Sequence, residues 1–264
     1  MSKDDDQKTG RPDVKQLLAD AHDQGALSPR SLAALDVVDV GAQIQAGLGV
    51  SIDDVAASEV VLVTMMPDDS QSIARAGNAD AVRDGHNFVL DALRSSRQSG
   101  EVLAHTRYLN GEVLCPYVAL DHAVTMTSAN YHPHLATPLY DQTAVVLGTV
   151  IAKSQELLQA GIAVRTVTLI ITDGADYGSS RMKPADIKAL VDDMLAQEHH
   201  IVAAMGISDG TTDFHAVFRA MGIPDRWVLT PGNSASEIRR AFAVFSQSAV
   251  RASQGGPQLG GFSN

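Results

Sequence analysis

From residue 60 onward, short apolar runs alternate with longer amphipathic stretches, and this alternation constrains the fold more than any other feature of the chain. Residues 60–66, VVLVTMM, form a continuous apolar run apart from Thr64, as expected of a strand covered on both faces. AVRDGHNFVLDALRSS follows, with Val82, Phe88, Val89, Ala92 and Leu93 at roughly helical spacing. VLAHTRYLNGEVLCPYV reads as two strands joined through Asn110-Gly111, a dipeptide that favours an antiparallel hairpin. LYDQTAVVLGTVIAKSQELLQAG predicts a long helix stopped by Gly161, and VTLIIT, residues 167–172, a further buried strand. The last third repeats the rhythm: a helix carrying Ile187, Leu190, Val191, Met194 and Leu195, strand IVAAMGI, helix DFHAVFRAMG, strand WVLT, and a final helix opened by Ser234 and Glu237 at capping-box spacing.

Strands that alternate with helices imply a mainly parallel sheet with helices on both faces. The expected class is therefore α/β, doubly wound, with one antiparallel hairpin strand and a helical N-terminal extension. Val14, Leu17, Leu18 and Ala21 share a helical face, Gly25 supplies a stop, and Ser28 with Pro29 forms the next helix start. The expected organisation is a flexible segment 1–11, a helical extension 12–58 packed on the main domain, an α/β domain 59–253, and a flexible Gly-rich tail 254–264.

Charge and cysteine content narrow the functional classes. A net charge of -11 with scattered Lys and Arg disfavours nucleic acid and anionic membrane as partners. A single cysteine, Cys115, cannot form a disulfide within the chain, and the opening MSKDDDQKTGRPD lacks the apolar core of a secretory signal, so the expected location is cytoplasmic.

In a doubly wound sheet, functional groups gather at the carboxyl edge, where connections diverge to opposite faces. Asp68 follows the first strand and Asp173 follows VTLIIT; if those strands are neighbours, the two carboxylates meet. Thr137, just ahead of the long helix, lies where a loop hydroxyl can join them.

Asp68, Ser70 and Ser72 as D-x-S-x-S, Thr137 in TPLYD and Asp173 in TDG together resemble the von Willebrand factor type A (VWA) domain family over about residues 59–253. The resemblance implies a Rossmann-like fold and a metal ion-dependent adhesion site, with hydroxyls from Ser70, Ser72 and Thr137, and Asp68 and Asp173 binding directly or through water. It also implies a protein-interaction module rather than an enzyme, in which a partner's Asp or Glu completes the coordination of Mg²⁺, with Mn²⁺ or Ca²⁺ as alternatives. An intracellular adaptor or scaffold role, beside an AAA+ ATPase in some relatives, is the accompanying lead. A hard cation with oxygen ligands and retained water suits this residue set. The chain has Gln71 and Ile73 where the family often has Gly and Met, and neither change removes a ligand.

Asp69 and Asp176 are read as solvated surface acids, although either would make the centre negative if it faced the ion. A metal-assisted phosphohydrolase using the same site is the alternative function. A serine hydrolase using Ser208 in GISDG is a minor one, because His215, the last histidine, lies close behind it in sequence. His132 and His134 read as solvent-facing loop residues, and His199 and His200 as helix-end residues. Tyr108, Tyr117, Phe242 and Phe245 read as core or subunit contacts, and Cys115 as buried and inert.

Overall fold

The computed structural model describes residues 13–37, 39–96, 102–254 and 261–262. Six strands form one sheet: β1 (Glu59–Met66), β2 (Val102–Arg107), β3 (Val113–Ala119), β4 (Ala163–Thr172), β5 (His200–Gly206) and β6 (Val228–Leu229), in the order β3-β2-β1-β4-β5-β6. Only the β2–β3 pairing is antiparallel. Central β1 pairs with β4 along its whole length, from Glu59 opposite Ala163 to Met66 opposite Ile170. Seven of its eight residues are buried, which is why the run carries no polar alternation.

From the β1–β4 centre the chain winds outward in both directions. The connection β1 to β2 passes through α4 (Gln71–Arg75) and α5 (Ala79–Arg94); β4 to β5 passes through α7 (Pro184–Ala196). Right-handed crossovers running in opposite directions place α5 and α7 on opposite faces. The packing agrees, since α5 lies against α9 (Ala235–Ser253) while α7 lies against α6 (Leu139–Gln159). The short α8 (Phe214–Ala220) precedes β6. The connections thus diverge between β1 and β4, which makes the carboxyl ends of these two strands the topological switch point.

The N-terminal helices α1 (Val14–Asp23), α2 (Pro29–Leu35) and α3 (Val40–Gly47) form an outer layer over α6 and α7. Val14, Leu17, Leu18 and Ala21 of α1 are buried, and α1 and α3 cover the side of α6 that faces away from the sheet. Helix α6 is consequently buried nearly all round, polar residues included: the Lys153 ammonium donates to the Val50 carbonyl (2.6 Å) and to Glu156 (2.7 Å). Gly148 makes the close approach possible, because a Cβ there would lie 2.7 Å from Ile44 Cδ1 and 2.8 Å from Leu35 Cδ2.

Several details differ from the sequence-based expectations. β4 begins at Ala163, four residues before VTLIIT, and its first half holds Arg165 in an ion pair with Glu59 at 3.0 Å. The hairpin turns through residues 108–112, with only Gly111 at positive φ (98°), rather than through a two-residue loop. His200 is not a helix-end residue: α7 stops at Ala196, Glu198 turns the chain at φ 60°, and His200 opens β5, buried with its ring nitrogen 2.7 Å from the Thr166 hydroxyl. His199 is likewise outside the helix, and its ring lies tilted against that of His200 with centroids 4.0 Å apart. Cys115, Tyr108, Tyr117, Phe242 and Phe245 are buried.

The expected flexible segment 1–11 lies outside the described residues, as do 255–260, 263 and 264 of the expected tail. Phe262 itself packs edge-on against Trp227 at 5.1 Å, and its amide donates to the Arg226 carbonyl.

Candidate metal centre

Three loops leave the carboxyl edge and are fastened together by their backbones. The Gln71 amide donates to the Leu135 carbonyl (2.9 Å) and the His134 amide to the Asp69 carbonyl (2.9 Å), so residues 134–135 run beside the loop after β1. Thr137 exchanges two backbone hydrogen bonds with Tyr177, at 2.9 and 2.8 Å, which ties the same segment to the loop after β4. Thr137 is thereby held between the segments that carry Asp68 and Asp173. The Tyr131 hydroxyl donates to the Asp68 carbonyl.

The side chains of Asp68, Ser70, Ser72 and Asp173 converge, and Thr137 is brought beside them through its backbone pairing with Tyr177. The Ser72 hydroxyl donates to Asp173 Oδ1 (2.6 Å) and lies 2.7 Å from the Ser70 hydroxyl, which is 3.5 Å from the same carboxylate oxygen. Asp68 Oδ1 accepts from the Ser70 amide (2.7 Å), and its Oδ2 accepts from the Thr172 hydroxyl (2.8 Å) and the Asp173 amide (3.2 Å). Asp68, Ser70, Thr137 and Asp173 are buried, while Ser72 is exposed and opens the cluster to solvent. Ser70 stands at the N-cap position of α4, yet its hydroxyl makes no capping bond, so helix capping does not account for it.

Asp69 is not a solvated surface acid. It is 2 % exposed, because its Oδ1 accepts the Asn110 amide (2.9 Å) of the hairpin turn 41 residues away. Asp176 is half-buried rather than solvated: with Ser179 it caps α6, receiving the Tyr140 amide at 3.2 Å, while Asp141 of α6 returns the contact to the amides of residues 180–182. That helix begins after Pro138 and has no side-chain cap of its own at that position, so the loop after β4 supplies one.

Burial dominates the electrostatics. Desolvation raises the pKa of Asp68, lifts Asp173 to about 6 and lifts Asp69 to about 7; hydrogen bonds to Ser72 and to the Asn110 amide oppose the last two shifts. Among the described residues no Lys or Arg forms an ion pair with any of the three. Buried carboxylates without a counter-charge are costly unless a cation or proton neutralises them. Among the described residues no three His, Cys, Asp or Glu side chains gather as a metal-binding group, so any ion held here depends on hydroxyls as much as on carboxylates. That oxygen-only set fits a hard divalent cation.

Sequence reasoning missed Thr172 and Asp209. Thr172 is fully buried with its hydroxyl on Asp68, and its position immediately before Asp173 was the available signal. Asp209, on the loop after β5, is exposed and acts on Asp173 through its charge. The neighbouring GISDG does not assemble a hydrolase triad: the Ser208 hydroxyl accepts the Gly210 amide, and His215 turns to Asp225 at 3.2 Å. His132 and His134 are exposed, as expected.

Fold and cluster together define a class: a doubly wound α/β domain with a hydroxyl–carboxylate centre at its switch point. By its strand order and its single antiparallel edge pairing the particular fold is the von Willebrand factor type A fold. The pilus adhesin SpaC of Lactobacillus rhamnosus GG superposes with a TM-score of 0.53 at 13% identity, over 73% of this chain and 31% of SpaC. The manganese-loaded TRAP protein of Plasmodium vivax gives 0.49 at 17% identity, over 74% of this chain and 75% of that one. A von Willebrand factor type A protein from Catenulispora acidiphila gives 0.43 at 13% identity, over 75% and 43%. This chain thus spans about a third of SpaC, and at these identities the likeness is one of fold. No protein-family model matches the sequence, and no curated protein does. Among the described residues no helix is long and apolar enough to cross a membrane.

Proposed function

We propose that the chain is a metal-ion-dependent protein-interaction module. Ser70, Ser72 and Thr137 supply neutral oxygens, and Asp68 and Asp173 supply charge directly or through water, to one divalent cation, Mg²⁺ first and Mn²⁺ or Ca²⁺ as alternatives. The observation that carries this reading is the buried Asp68–Asp173 pair, which has no Lys or Arg partner among the described residues, beside two serine hydroxyls that cap no helix but point at Asp173. A cation there would neutralise two buried charges and leave a roughly neutral centre, and Ser72, the exposed member of the cluster, marks the side from which a partner's Asp or Glu would approach. When bound, the ion supplies Lewis acidity toward that carboxylate; Thr172 and the Ser70 and Asp173 amides hold Asp68 in place.

An intracellular adaptor beside an AAA+ ATPase is the partner class the family resemblance points to, and no catalytic step is assigned. Affinity purification with and without EDTA, on wild type and Thr137→Ala, tests the module. A partner lost under both treatments supports it, and a partner retained under both removes the metal from binding. Turnover of a generic phosphoester that disappears in Asp68→Ala would instead favour a metal-assisted phosphohydrolase.

A further inference from the structure

Among the described residues five large apolar side chains are exposed, and two of them stand at this one site. Leu135 (43 % exposed) is the bridge partner of Ser70, and Tyr177 (77 % exposed) is the bridge partner of Thr137. Scattered exposed apolar residues need no explanation, but these two flank the proposed ligands on either side. Their backbones are pinned: the Leu135 carbonyl accepts the Gln71 amide, and Tyr177 both gives and receives a hydrogen bond with Thr137. Neither side chain is exposed through a loose loop, so contact with a partner costs little backbone ordering. An aromatic ring offered in this way provides contact area with few rotatable bonds.

Electrostatics give the pair a role. Asp68 and Asp173 already offset a divalent ion, and Asp209 adds negative charge at the same edge. Attraction between such a centre and one incoming carboxylate is weak, so coordination fixes the position while affinity must come from elsewhere.

We propose that the partner is a protein segment in which the metal-seeking Asp or Glu is flanked immediately by bulky apolar side chains that cover Tyr177 and Leu135. This rests on the metal-site reading above. Three peptides test it on the full chain loaded with Mg²⁺, by NMR titration: acetyl-Phe-Glu-Leu-amide, acetyl-Gly-Glu-Gly-amide and acetyl-Phe-Gln-Leu-amide. Each titration is repeated in EDTA and on Tyr177→Ser and Leu135→Ser, with Mn²⁺ affinity measured on every protein so that selectivity is compared at equal metal occupancy. The expected result is that Phe-Glu-Leu binds about tenfold tighter than Gly-Glu-Gly, and that each Ser variant cuts this preference to about threefold or less. Binding also disappears in EDTA and with the Gln peptide. Equal binding of the two Glu peptides, or binding of neither to metal-loaded protein, overturns the apolar requirement and leaves the metal site standing. Phe-Glu-Leu binding that survives EDTA or the change to Gln also overturns it, as plain apolar contact. A wild-type chain that takes up none of Mg²⁺, Mn²⁺ and Ca²⁺ removes both readings.

Discussion

The Ser72 hydroxyl lies 2.6 Å from Oδ1 of Asp173, joining two segments 101 residues apart in sequence at the open mouth of a buried acidic cluster. Without a cation, this contact and the Ser70 hydroxyl beyond it are what the Asp173 side chain has in place of an opposite charge.

Asp173→Asn therefore acts in two directions. It weakens divalent-cation binding by on the order of 100-fold or more, since it removes a charge from the ion's neighbourhood. In EDTA the same variant unfolds about 2–4 °C higher than wild type, corresponding to about 1 kcal/mol of relieved desolvation. Thermal melts followed by circular dichroism, with EDTA and with Mg²⁺, measure both. A lower melting point in EDTA would mean that the buried carboxylate is not a liability.

The carboxyl pKa values give the pH dependence. Burial raises Asp173 to about 6 and Asp69 to about 7, above the ordinary 3.8, so their contribution to metal-free stability is complete below about 3.8 and is lost as pH rises through 6 to 7. His86 and His105 act in the opposite sense. Burial holds them at about 4 and about 3, so their contribution is complete above 6.5 and is lost as pH falls. The histidines do not take part in the metal cluster, and the difference between Mg²⁺ and EDTA melts isolates the carboxyls. That difference grows from pH 5 to pH 8, because protons compete with the ion at low pH. A difference independent of pH would contradict carboxylate ligation.

Thr172→Val keeps the shape of a fully buried side chain and deletes the hydroxyl that donates to Asp68 Oδ2. Cation affinity falls by about 10-fold, as for other groups that orient a ligand. Isothermal titration with Mn²⁺ reads the loss, and an unchanged affinity would remove Thr172 from the positioning of Asp68.

Much of this arrangement is visible in the sequence, and the exceptions share a cause. β1 reads clearly because a strand buried on both faces needs little polar alternation, and the five candidate residues stand out in the sequence because each lies near the end of an element. Asp69 misleads because its burial comes from the Asn110 amide, a partner 41 residues away. Asp176 misleads because the helix it caps begins at Leu139, far earlier in the chain. His200 misleads because a single positive-φ residue, Glu198, turns the end of α7 into the start of β5. The nearly complete burial of α6 depends on α1 and α3 covering its outer side, which no periodicity within α6 records.

Ile44→Ala tests that outer layer. Ile44 is fully buried in α3, and its Cδ1 would lie 2.7 Å from a Cβ placed at Gly148 of α6. Truncation costs about 2–5 kcal/mol if α3 packs as an integral layer, lowering the melting point by at least about 4 °C. A loss under about 0.5 kcal/mol would show that α3 contributes nothing to the core.

Anomalous diffraction from crystals soaked in Mn²⁺ locates the ion itself. A single peak is expected among the side-chain oxygens of Ser70, Ser72, Thr137 and Asp173, with Asp68 reached directly or through one water, and it disappears in Asp173→Asn. A soaked crystal with no peak at that edge, or with manganese only on exposed acids such as Asp209, would contradict it.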